Sequence, residues 1–68
     1  MNIYSDQALK TELTSNLRGI VRRAEILLTI PETMRAEVVA ESHRIMNNIG
    51  GRPTEALLAA VRYAKAGA

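Results

Sequence analysis

The chain has 68 residues, enough for one domain, and a core of that size is marginal without a disulfide, a metal or a partner subunit. It has no cysteine, which excludes disulfides and thiolate metal sites, and its only histidine is His43. Nine basic and seven acidic side chains leave a net charge of +2, too mild to imply nucleic acid by itself, and no apolar run approaches the ~20 residues of a membrane span. With no Phe or Trp, the core must be built from Leu, Ile, Val, Ala and Met, which suits packed helices. The first residues lack the basic-then-apolar pattern of a secretion signal, so a cytoplasmic location is the expectation.

The longest patterned stretch comes first. Leu9, Leu13, Leu17, Ile20, Ala24 and Leu27 recur at steps of four, four, three, four and three, the spacing of one helical face. Val21, Ile26 and Leu28 widen that stripe, and Arg18, Arg22 and Glu25 fall on the other side. Ser5 is placed to cap the helix, with Asp6 at the positive end of its dipole. Thr11, Thr14, Ser15, Asn16 and Gly19 disfavour helix, so a continuous helix over residues 5–29 requires packing to override propensity. Gly19 beside the stripe fits either a close helix crossing or an ordinary surface position.

Ile30-Pro31-Glu32 ends this helix and starts the next, since proline disfavours helical backbone before it and suits a first turn. The second helix is expected over residues 31–49, with a stripe of Met34, Val38, Ser42, Ile45 and Ile49 and with Gly50 as its left-handed terminator. A third, shorter helix over 53–66 carries Leu57, Leu58, Val61 and Ala64, with Ala56, Ala59, Ala60 and Tyr63 on a flatter face and Arg62 and Lys65 at its C-terminal end. Short loops at 29–31 and 50–53 make neighbouring helices antiparallel or sharply angled. The expected fold is therefore all-α: one domain over 1–68, a helical hairpin of two long helices plus a short third helix. Such a hairpin leaves apolar surface wet, so dimerisation into a helical bundle is expected, with Leu13, Leu17, Ile20, Leu27, Val38 and Ile45 as the dimer core.

No arrangement of residues reads as a catalytic or cofactor site. His43 has no Glu-x-x-His or His-x-x-x-His partner, and Glu37 and Glu41 form a like-charged pair on the polar side. No glycine-bounded serine elbow is present. Gly50-Gly51-Arg52-Pro53-Thr54 is too short for a phosphate loop and lacks its Lys. The expectation is a non-enzymatic protein without metal or cofactor.

The residues left for a partner are Arg18, Arg22, Arg35 and Tyr63. Arg18 and Arg22, with Arg23, make the densest basic cluster. Arg35 projects from the apolar side of the second helix, where an arginine either snorkels from the core edge or rims a binding surface. Tyr63 on an alanine-rich face is a suitable interface anchor. The alternative reading is a small DNA-binding regulator whose segment 31–66 imitates a helix-turn-helix. Its recognition helix would open with Thr54, Glu55, Ala56, Leu57 and Leu58, a set with few base donors, which makes nucleic acid a poor partner.

A long first helix over 5–29, the Ile30-Pro31-Glu32 break and the Arg- and Ala-rich end at 51–68 give the whole chain a compositional likeness to a known group. It resembles the small accessory proteins with which bacteriophages disable host proteins, in particular the dimeric quorum-sensing anti-activator type of Pseudomonas phages. The resemblance implies a homodimeric inhibitor, working in the host cytoplasm, that binds a host transcriptional activator, with a pilus motor protein as a second target. It has no diagnostic motif, and no residue role is carried over from it.

Overall fold

Helix formation fails where the sequence supplies competing hydrogen bonds, and that failure sets the architecture. The computed structural model describes residues 2–67, so the two ends of the expected domain 1–68 lie outside the described residues. It contains four helices: α1 (Asp6–Glu12), α2 (Arg18–Leu28), α3 (Glu32–Asn48) and α4 (Pro53–Ala66). No strand occurs among the described residues.

The single helix expected over 5–29 is two helices, α1 and α2, and the expected hairpin of two long helices is thereby replaced. Packing does not override propensity at residues 13–17. The Thr11 hydroxyl donates back to the Gln7 carbonyl (3.0 Å) and the Thr14 hydroxyl to the Thr11 carbonyl (2.7 Å). The backbone tightens into three-residue turns, with Thr14 N donating to Thr11 O and Ser15 N to Glu12 O. The Ser15 hydroxyl then accepts from Leu17 N (3.1 Å), and the chain turns into α2 with Leu17 in an extended conformation at its N-cap. Short hydroxyl side chains that bond to nearby backbone compete with helix in this way.

Other boundaries follow their local signals. Ser5 caps α1 by accepting from Ala8 N (3.2 Å), a contact of a kind worth about 1 kcal/mol. Pro31 is the N-cap of α3, and Pro53 opens α4. Gly50 and Gly51 both have positive φ, 92° and 102°, and Gly50 N donates to Ile45 O, closing the last turn of α3. Gly19 is exposed, so its surface reading holds and no other helix crosses there.

The most extensive helix pairing is between α3 and α4, followed by α1 with α2 and then α2 with α4. Ala56, Leu57, Ala60 and Val61 form one buried face of α4, and the two alanines let α4 approach its neighbours closely. With 14 residues α4 has the bounds expected for it, 53–66, and it is longer than α2 because the expected first helix is divided. Its face joins Leu9, Ala24, Ile26, Leu27, Ile30 and Val38 in one core. Ser42 is buried too, and its hydroxyl donates to the Val39 carbonyl (2.6 Å).

The six residues expected to form a dimer core divide. Leu27 and Val38 are buried within the chain itself, Ile20 and Ile45 are half-buried, and Leu13 and Leu17 face solvent. No helix among the described residues is long and apolar enough to cross a membrane.

Candidate protein-binding surfaces

Arg35, expected on the rim of a partner surface, is 3 % exposed and holds the fold together. Its Nε donates to the carbonyls of Leu27 (2.8 Å), in the last turn of α2, and Ile30 (3.2 Å), just beyond it, where the helix's own bonds run out. Its Nη1 donates to the Tyr4 carbonyl (2.7 Å) and pairs with Asp6 Oδ1 at 2.7 Å. One guanidinium therefore ties α3 to the end of α2, to the N-terminal segment and to the first turn of α1. Its fork of five donors makes this possible, and a cation near the C-terminal end of a helix is favoured by the dipole. Asn2 adds a second tie by donating to Glu32 Oε1 (2.7 Å). The readable signal was position: an arginine on the apolar stripe, in the first turn after the Pro31 break, can reach back to carbonyls at the end of the preceding helix.

Tyr63, expected as an interface anchor on the alanine-rich face of the last helix, is 76 % exposed and stands at a groove of about 370 Å³ between α3 and α4. Met34, Val38, Ala40, Ala60 and Ala64 supply the apolar surface, and Glu37, Glu41 and Arg44 supply charge. Arg44 Nε donates to Glu41 Oε2 (2.9 Å), so Glu41 is already paired.

The basic cluster of the sequence does not form a single patch. Arg18 is exposed in the first turn of α2, at the unfavourable positive end of the dipole. Arg23 is half-buried and turns toward Gly19, whose added Cβ would stand 3.1 Å from Arg23 Nη1. Arg22 points another way, into a groove of about 470 Å³ between α2 and α4. There it meets Arg62 and Lys65 of α4, with Glu25 and Thr29 beside them and Ile26, Leu58 and Val61 between the two helices. Sequence reasoning placed Arg62 and Lys65 only as charges suited to a helix C-terminus. Their convergence with Arg22 depends on α2 packing on α4, which residues forty positions apart do not announce.

A third opening, about 410 Å³, is lined by residues of all four helices, with Ile20, Ala24, Leu27, Val39, Met46 and Leu57 among its walls. Chain neighbours of its lining residues are strongly exposed apolar groups. Leu13 follows Glu12 and is 37 % exposed; Leu17, one turn before Ile20, is 62 % exposed; Ile49, just beyond Met46, is 84 % exposed. His43 is exposed at the same opening. Among the described residues no group of three or more His, Asp or Glu side chains could hold a metal ion.

The helix-turn-helix alternative meets its test in α4. Over its first two turns the exposed positions are Pro53, Glu55 and Ala59, which offer bases no cation and phosphates a negative charge. Comparison of the chain with protein-family models, with curated proteins and with solved structures gives no match. The fold and its exposed faces define a class, a small all-helical protein with several large apolar side chains exposed and two grooves flanking its last helix.

Proposed function

We propose that the chain is a protein-binding regulator that works as a homodimer, occupying a surface of another protein rather than transforming a substrate. The observation that carries this reading is the exposure of Leu17, Ile49 and Tyr63 on so small a chain, because the cores of protein interfaces are apolar and rich in tyrosine. The exposed apolar residues divide by place. Leu13, Leu17 and Ile49 are exposed and close in sequence to Glu12, Ile20 and Met46 of one opening, and a second copy that brings the same groups against them covers both sets through one two-fold contact. Tyr63 and Arg22 lie by the grooves on either side of α4 and remain for the partner, with Arg18 at the start of α2 adding charge. The likeness to phage anti-activators gives this reading a direction, a host transcriptional activator as the bound protein and inhibition as the result.

The test is affinity capture from a Pseudomonas lysate with the parent protein and with Tyr63→Ala, each captured protein identified by mass spectrometry. The expected result is a discrete protein retained by the parent and depleted in the variant, with equal helicity of both baits by circular dichroism. Equal retention by both baits removes Tyr63 from the interface. Retention of nothing above an unrelated helical bait removes the protein-binding reading.

A further inference from the structure

The groove between α2 and α4 carries charge that the fold does not use. Arg22, Arg62 and Lys65 are exposed along it, and none of them has an ion-pair partner among the described residues. Glu25 is the single opposite charge at the groove, so its rim is net positive. Between the charges, Ile26, Leu58 and Val61 give the groove an apolar floor.

We propose that this groove takes an acidic amphipathic helix of the partner protein, with the apolar stripe of that helix on Ile26, Leu58 and Val61 and its carboxylates against Arg22, Arg62 and Lys65. Helices bind other helical proteins by laying an apolar stripe between two of them, and flanking charge selects and steers the incoming segment. An acidic peptide satisfies both the floor and the rim. A nucleic-acid backbone satisfies only the rim, leaves the floor uncovered and brings phosphate against Glu25. The inference rests on the protein-binding reading above but not on dimerisation, because Leu13, Leu17 and Ile49 are not part of this groove.

The experiment uses a fluorescein-labelled synthetic peptide of about four helical turns, with Leu at helical i, i+3, i+4 and i+7 spacing, Glu on both flanks and Ala elsewhere. Fluorescence anisotropy follows its binding to the full chain. Three control probes accompany it: the same composition scrambled, the same peptide with Lys for Glu, and a labelled DNA duplex. The acidic amphipathic peptide is expected to bind most tightly, and its affinity to fall with added salt. Arg62→Gln with Lys65→Gln should weaken it about tenfold or more, as should Arg22→Gln, which sits on the other helix and guards against a local folding defect. Tyr63→Ala should leave it unchanged. Equal binding of the acidic and scrambled peptides overturns the proposal, as do glutamine variants that bind like the parent. Tighter binding of the DNA duplex through the same three residues overturns it in favour of a phosphate site. If the peptide fails while Tyr63-dependent capture from lysate persists, the groove assignment falls and the protein-binding reading stands.

Discussion

Leu9 and Leu13 are four residues apart on one apolar stripe, and the structure treats them in opposite ways. Leu9, in α1, is the largest fully buried side chain, whereas Leu13, one turn later, faces solvent with Leu17 beyond it. Farther along the same stripe Ala24 and Leu27 are buried again. Periodicity defines a face only while the helix that carries it continues. Where Thr11, Thr14 and Ser15 divert the backbone into turns, the phase of the stripe is lost and the residues in between become surface. An interruption inside an apolar stripe thus leaves apolar side chains exposed without the sequence looking any less amphipathic.

Mutations at the two positions sharpen this contrast. Leu9→Ala should cost about 2–5 kcal/mol, the range for emptying a packed leucine site, and lower the melting temperature accordingly. Next is Arg35→Ala, which strips the Leu27, Ile30 and Tyr4 carbonyls of a charged donor. It should cost roughly 2–3 kcal/mol. Little of that loss comes from the ion pair, since Asp6 is well exposed. Arg35→Lys should recover only part of it, because one ammonium cannot reproduce the fork. A melting curve of Arg35→Ala identical to the parent's would remove Arg35 as a structural tie and restore it as a candidate for partner contact. Leu13→Ala should come next, with a cost to the fold of less than about 1 kcal/mol because much of the side chain is already wet. Tyr63→Ala should be smallest, within about 0.5 kcal/mol in thermal unfolding, its effect appearing only in partner capture.

The sequence made the C-terminal half more legible than the N-terminal half for a physical reason. Pro31, Gly50 and Pro53 fix the ends of α3 and α4 through backbone constraints that no packing can undo, and those helices lie within a residue of where they were expected. The break between α1 and α2 depends on a balance between weak propensities and packing. Thr14, Ser15 and Asn16 carried the right signal, but the unbroken leucine spacing outweighed it. The exposure of Tyr63 and Arg22 followed from residue type and position on a helix, which need only local geometry. Arg35 was misplaced because its partners are backbone carbonyls, which leave no mark in the pattern of side chains. The convergence of Arg62 and Lys65 with Arg22 was not legible because it is a product of tertiary packing.

The central claim, that the exposed leucines at the α1–α2 turn are covered by a second copy, is tested most directly by mass in solution. Light scattering of the parent protein at rising concentration should reach twice the 7.5 kDa of one chain and stay there. Leu17→Glu should give the single-chain mass with its helicity retained, because Leu17 contributes little to the fold of one chain. A parent protein that remains at 7.5 kDa throughout, or a Leu17→Glu variant that keeps the doubled mass, would contradict the account.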